Sequence, residues 1–118
     1  MIPRSALFLG EDHELAENID RYCKPRGFSV HKGSKPGDYD KKELGRQLAA
    51  TEPEILVFGP DYNEYPVNEI VHIFAVLARG VLRYEDPFIV TISDSVLAEN
   101  GKDGIPEWVF KTLENYYR

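Results

Sequence analysis

The chain has 118 residues, of which 42% are apolar and 29% are charged, and this composition is typical of a folded globular domain rather than a disordered segment. We therefore expect residues 1–118 to form one domain. The formal net charge is −6, and no cluster of basic residues is apparent in the sequence. This balance argues against binding to nucleic acid and against adhesion to anionic membranes, while it leaves a protein partner open.

Cysteine usage and hydropathy bear on the compartment. The chain contains one cysteine, Cys23, so no disulfide can form within it. Its first residues lack the long apolar stretch of a signal peptide, and no apolar run approaches the roughly 20 residues of a membrane-spanning helix. These features predict a cytoplasmic protein without a membrane partner.

Four short apolar runs predict β-strands. They are Ala6–Leu9, Phe28–His31, Glu54–Phe58 and Phe88–Ile92. Amphipathic stretches between them predict helices over 13–23, 40–50 and 67–79, and a last helix that opens at Pro106. We expect the polar segment 93–104 to be a loop with at most one helical turn.

Strands that alternate with helices predict an α/β fold, in which helices cover both faces of a parallel sheet. Right-handed crossovers with a central first strand favour the strand order 2-1-3-4. In such sheets the functional crevice lies beyond the carboxyl ends of the strands, at the switch point between the first and the third. The candidate pocket residues at this edge are Gly10, Glu11, Asp12, Gly59, Asp61 and Ser93.

Each of these residues also has a purely structural interpretation. Acidic residues at a helix start interact favourably with the helix dipole, by about 0.3–1 kcal/mol each. The sequence Gly59-Pro60-Asp61 has the chemistry of a tight turn. His13 lies beside the acids, but no second histidine follows at ligand spacing, so we predict no metal site.

The opening of the chain resembles a response-regulator receiver domain. The similarity lies in the apolar strand, acidic cluster and amphipathic helix of residues 7–19, and in Arg26-Gly27-Phe28-Ser29-Val30 at the second strand. Residues 53–58 and 87–90 are similar to the third and fourth strands of that family. The resemblance covers roughly the first three quarters of the chain. It implies a three-layer flavodoxin-like or receiver-like fold, here with a shortened or missing fifth strand.

The resemblance also implies a site that has lost its chemistry. In receivers two acids after the first strand bind Mg²⁺, and an aspartate that ends the third strand accepts the phosphoryl group. Here Gly10 matches the first acid and Gly59 matches the acceptor, and a glycine cannot be phosphorylated. Ser93 or Thr91 could supply the hydroxyl that follows the fourth strand, whereas Lys102 and Lys111 are poor matches to the family's lysine.

The expectation that follows is a pseudo-receiver. This would be a signalling or regulatory module without catalytic residues or cofactors, which acts through contacts with another protein or as a homodimer.

Two alternatives remain open. Glu69, early in the third helix, resembles the catalytic glutamate of enzymes similar to nucleoside deoxyribosyltransferases and TIR-like hydrolases. A carboxylate of this kind can attack the anomeric carbon of a sugar. In the second alternative, Asp61 has taken over from the missing acceptor, and the chain is a divergent phosphoreceiver.

Overall fold

The computed structural model describes residues 3–73 and 87–118. Four parallel strands form one sheet in the order β2-β1-β3-β4. The strands are β1 (Arg4–Leu9), β2 (Phe28–Lys32), β3 (Ile55–Phe58) and β4 (Phe88–Thr91). The predicted α/β class and strand order are therefore confirmed, and the architecture is consistent with a flavodoxin-like fold. Within the described residues the sheet ends at β4.

Four helices connect and follow the strands. They are α1 (His13–Cys23), α2 (Lys41–Thr51), α3, which begins at residue 67 and is described through residue 73, and α4 (Asp94–Tyr117). The bounds of α1 agree with the sequence prediction. The expected end of α3 near residue 79 lies outside the described residues, as does most of its expected apolar face. Where the chain is described, none of its helices combines the length and apolar character needed to cross a bilayer.

The core has two layers because β1 is buried on both faces. Ala6 and Phe8 point into a layer covered by α1 and α4, whereas Leu7 and Leu9 point into a layer that also holds residues of α2 and α3. All four side chains are fully buried. Side chains alternate between the faces of a strand, so a strand covered on both faces must be apolar at every position. Full burial of each large apolar side chain favours folding by about 1.5–3 kcal/mol.

Cys23 lies in the layer between the sheet and the helices α1 and α4, and its side chain is fully buried. Burial raises the pKa of this thiol to about 12. The thiol is therefore protonated at neutral pH and packs as a small apolar group, as its inward place on α1 predicts.

The predictions of a loop over residues 93–104 and of a helix that opens at Pro106 are wrong. Residues 94–100 are helical, and the helix continues to Tyr117 across a kink at Gly101, which has φ 70° and ψ 160°. Pro106 lies inside the second part of α4 and is buried, so it does not open that helix. The polar residues before the kink resemble a loop in the sequence. The apolar stripe that anchors the helix lies after the kink, at Ile105, Val109 and Leu113.

Replacing Gly101 with alanine should destabilise the protein by about 1–3 kcal/mol, because its backbone dihedrals lie in a region that is nearly restricted to glycine. Gly45 inside α2 is the matched control, since a Cβ there would have no neighbour within 4 Å. Gly45→Ala should stabilise the protein by about 0.5–1 kcal/mol. Urea unfolding followed by circular dichroism measures both changes. Equal changes in the free energy of unfolding for the two substitutions would contradict the backbone conformation described at Gly101.

Candidate functional site

The ends of β1 and β3 bring two glycines together. The strands pair in the register Leu9↔Phe58, and the Gly59 N–H donates to the Leu9 carbonyl at 2.9 Å. Gly10 and Gly59 therefore follow neighbouring strands, and their backbones lie close enough that a Cβ on Gly59 would be 3.5 Å from the Cα of Gly10. Both residues are buried. This is the switch point at which the sequence placed the candidate pocket.

The carboxylate of Asp61 occupies the space above these two glycines. Its Oδ2 accepts a hydrogen bond of 2.9 Å from the Glu11 N–H. Its Oδ1 lies 3.2 Å from the position that a Cβ would take on Gly10, and 3.2 Å from the same position on Gly59. The structure thus brings together four of the candidate residues, Gly10, Glu11, Gly59 and Asp61. It also places a carboxylate beside Gly59, the residue without a side chain that matches the acceptor aspartate in a strict alignment to receivers.

The ring of Phe8 also lies close to these two glycines. Its Cε1 would be 2.8 Å from a Cβ on Gly10, and its Cζ would be 3.0 Å from a Cβ on Gly59. A real Cβ essentially never has a contact as short as the one at Gly10, and the contact at Gly59 is tighter than most Cβ contacts. A side chain at Gly10 would therefore displace the Phe8 ring, whereas at Gly59 a smaller shift of the ring and of the Asp61 carboxylate would be needed.

From the sequence, Tyr65 is expected to flank the pocket as an exposed aromatic residue of a loop, whereas the structure buries it. Its ring is buried, and its hydroxyl donates to the Ser34 carbonyl. Burial, followed by the negative charges of Asp61 and Glu11, raises the pKa of Tyr65 well above its ordinary value. The phenol is therefore neutral. The spacing of Tyr65 could have predicted its burial. Tyr65 precedes α3 by two residues and shares an apolar cluster with Ile70, as a hydrophobic staple does.

Asp12 performs a different task from that of Asp61. Its carboxylate caps α1 by accepting from the Leu15 N–H at 2.9 Å, and it pairs with the Lys102 ammonium at 3.0 Å. Burial alone would raise the pKa of Asp12, but the bond from Leu15 and the pair with Lys102 outweigh it and lower that pKa. Lys102, a poor match to the receiver lysine by sequence, thus reaches the acidic edge from the kink in α4.

Ser93 lies at the same edge of the sheet, because the preceding Ile92 N–H donates to the Phe58 carbonyl at 2.8 Å. Its hydroxyl caps α4 by accepting from the Val96 N–H at 3.2 Å. No hydrogen bond in the described part of the chain joins Ser93 to Asp61. The structure therefore places Ser93 at the predicted edge and gives its hydroxyl a capping role.

Glu69, the candidate nucleophile of the enzyme alternative, pairs with the Lys41 ammonium at 3.0 Å. Its side chain is 37% exposed. No ion pair or hydrogen bond between described residues connects it with Asp61. The pair joins the start of α3 to the start of α2.

The carboxylates at this edge are arranged to hold chain segments together. Asp61 joins the loop after β3 to the loop after β1, and Asp12 joins α1 to α4. Over residues 3–73 and 87–118, no group of three or more histidine, cysteine, aspartate or glutamate side chains is placed to hold a metal ion. A hard divalent cation prefers several converging oxygen ligands.

Comparison of the sequence with models of known protein families and with curated proteins finds no match.

Gly10→Ala should destabilise the protein by roughly 1–3 kcal/mol, because the added methyl group meets the Phe8 ring and the Asp61 carboxylate. Gly37→Ala is the control, since a Cβ there would have no neighbour within 4 Å. Chemical denaturation of the two variants and the wild type measures the difference. A Gly10→Ala variant as stable as the control would show that the space above the glycines is open.

Two substitutions at Asp12 should separate the contribution of its helix cap to stability from the contribution of its ion pair with Lys102. Asp12→Ala should cost about 0.5–2 kcal/mol of stability, since it removes the cap of α1. Asp12→Asn retains a capping oxygen and loses only the exposed pair with Lys102, so it should cost about 0.2–1 kcal/mol. Thermal unfolding measures both effects. If Asp12→Asn is as damaging as Asp12→Ala, the cap is not the dominant contribution.

The same variants have an expected dependence on pH. The folded-state pKa of Asp12 lies below 3.8, its ordinary value, so the advantage of the wild type over Asp12→Asn is fully present above pH 3.8. It should disappear as the pH falls through the lower, folded-state value. An advantage that persists unchanged in stronger acid would contradict the ionised pair.

Proposed function

We propose that this chain is a receiver-like signalling or regulatory module that acts through protein–protein contacts and is not phosphorylated in the usual way. The proposal rests on the residues found where β1 and β3 end, at the place that the acceptor aspartate has in receivers. Gly59 stands at the end of β3, and the nearest carboxylate, that of Asp61, is already bonded to the Glu11 N–H. The proposed setting is the cytoplasm, in keeping with the buried, protonated thiol of Cys23.

The chemistry of phosphoryl transfer supports this proposal. A phosphoryl group that moves to a carboxylate needs cations to neutralise the charge on its oxygens. Asp12 is engaged by a helix cap and by Lys102, and the neighbouring Glu11 side chain is exposed. These contacts favour one conformation of the loops after β1 and β3. A fixed binding surface requires such a conformation.

One observation favours the divergent phosphoreceiver as a second candidate. The Oδ1 of Asp61 lies 3.2 Å from where a Cβ of residue 59 would be, so the carboxylate reaches the place of the missing acceptor from two residues further along the chain. The hydrogen bond from Glu11 engages Oδ2, and the hydrogen bonds among described residues leave Oδ1 available. This oxygen would be the one that attacks.

The enzyme alternative with Glu69 has weaker support. The ion pair with Lys41 stabilises the charged form of the Glu69 carboxylate. No hydrogen bond or ion pair between described residues connects a second acidic side chain with Glu69. Incubation with nucleosides and with NAD, followed by chromatography, tests this alternative. Turnover that is lost in Glu69→Gln would replace the proposal with an enzymatic function.

Phosphorylation itself is tested by incubating the protein with Mg²⁺ and acetyl phosphate and measuring its intact mass. The proposal predicts no phosphoryl adduct on the wild type, because Gly59 offers no acceptor and Asp61 is held by Glu11. A receiver known to react with acetyl phosphate serves as the assay control. An acid-labile adduct on the wild type that is absent from Asp61→Asn would establish the second candidate instead.

A further inference from the structure

The two outer strands of the sheet, β2 and β4, differ in how their free edges are protected. In β2 the Val30 N–H points away from β1 and donates to the Asp20 carboxylate of α1 at 2.8 Å. Further along the same strand, the Lys32 ammonium pairs with Glu17 of α1 at 2.8 Å. Charged side chains and occupied backbone groups keep an edge strand from pairing with a further strand. The edge at β2 is therefore blocked by side chains of α1.

The edge at β4 has no such protection among the described residues. The N–H groups of Phe88 and Ile92 donate to backbone carbonyls of the neighbouring segment that contains β3, at 3.1 and 2.8 Å. Because alternate residues of a strand face opposite edges, the N–H and C=O groups of Ile89 and Thr91 point away from β3. No hydrogen bond between described residues engages these outward groups. The strand contains no charged residue, and Pro87 directly before it confines the open edge to these two positions.

Apolar side chains are exposed on both faces of this strand. Among the described residues, the exposed large apolar side chains are those of Ile89, at 36%, and Tyr116, at 54%. The Tyr116 ring stacks on Phe88 with 3.8 Å between ring centres, on the face of the sheet that α1 and α4 cover. Side chains alternate along a strand, so Ile89 points to the opposite face. A helix docked here would cover one of these faces, whereas an added strand would continue the sheet and cover both.

We propose that β4 pairs with β4 of a second copy of this chain, antiparallel and about a twofold axis at Val90. Ile89 of one copy then lies opposite Thr91 of the other, and each of these pairs exchanges two backbone hydrogen bonds. The blocked edge at β2 ends the assembly at two copies, since further growth would need a second open edge. The inference rests on the proposed function, because it names the contact surface of that module and its partner.

A second copy fits this edge because the strand is complementary to itself. Its outward N–H and C=O groups are placed symmetrically about Val90, as a twofold axis requires. Ile89, Val90 and Thr91 are β-branched, and such residues form favourable pairs across neighbouring strands. Each copy carries a net charge of −6, but β4 itself is uncharged, so no like charges within the two strands face each other. Added salt should therefore strengthen the dimer, because it screens the repulsion between the two net charges.

Sedimentation velocity of the full chain over a series of concentrations tests the proposal. The mass should rise with concentration from that of one copy to that of two copies and no further. Ile89→Lys places a charge on the open edge and should raise the dissociation constant of the dimer by roughly tenfold or more. His31→Lys is the matched control, because it places a lysine at an exposed position of the other outer strand, and it should dimerise like the wild type.

A second variant and a second measurement protect this test against misfolding. Ile89 is only partly exposed, so thermal unfolding of every variant shows whether its fold is retained. Thr91→Pro removes one outward N–H and leaves the N–H groups that bond to the β3 segment in place, so it should also weaken the dimer. In amide hydrogen exchange followed by NMR, the N–H groups of Ile89 and Thr91 should become protected as the protein concentration rises.

Three results overturn the proposal: a chain that is monomeric at every concentration, a dimer that is unchanged in both Ile89→Lys and Thr91→Pro, or assembly that continues beyond two copies. A monomeric chain that binds an unrelated, uncharged strand peptide through Ile89 would assign the edge to a different partner and would likewise refute the twofold pair. A phosphoryl adduct in the mass measurement would refute the proposed function and leave the dimer result standing.

Discussion

The site depends on a close approach between the ends of β1 and β3, which is tightest at Gly10. The Phe8 ring and the Asp61 carboxylate both lie close to the places that Cβ atoms would take on Gly10 and Gly59. The Glu11 N–H holds that carboxylate in place through a charge-assisted hydrogen bond. A methyl group at Gly10 would be in steric conflict with the Phe8 ring, and one at Gly59 would require a smaller shift of the same ring. The geometry of the whole carboxyl edge follows, because the loops after β1 and β3 are joined there.

The acidic residues at the carboxyl edge of the sheet have separate structural roles. Asp61 holds a loop, and Asp12 caps a helix and binds Lys102, so the two carboxylates are bound by different partners. In a cation site the same charges would converge on one ion. A protein with this arrangement can keep a fixed surface, and this is the physical basis of our proposal that the chain is a binding module.

The opposite end of α1 has a different character. In the turn that follows it, the Arg26 guanidinium lies over the Tyr22 ring, and Glu17 and Asp20 share a surface depression with Arg21 and Lys24. The pair between Asp12 and Lys102 fastens α4 to α1 at the edge of the sheet, and apolar packing of Ile105, Val109 and Leu113 continues that contact. An ion pair and apolar packing therefore both join the two helices.

The sequence by itself determined the fold class, the strand order and the bounds of α1, because these follow from hydropathy periodicity and from the handedness of crossovers. It also located the edge that carries Gly10, Gly59 and Asp61. It did not predict the helix over residues 94–100, since the polar residues there resemble a loop and the buried residues of α4 all follow Gly101.

Only the tertiary structure decided that Asp61 covers the two glycines, that Lys102 reaches Asp12, and that Tyr65 is buried. These contacts join residues that are distant in sequence, and no local pattern encodes which distant side chain will meet a given backbone. The periodicity of a chain specifies which faces are buried, whereas the partners on those faces depend on how the strands and helices pack in three dimensions.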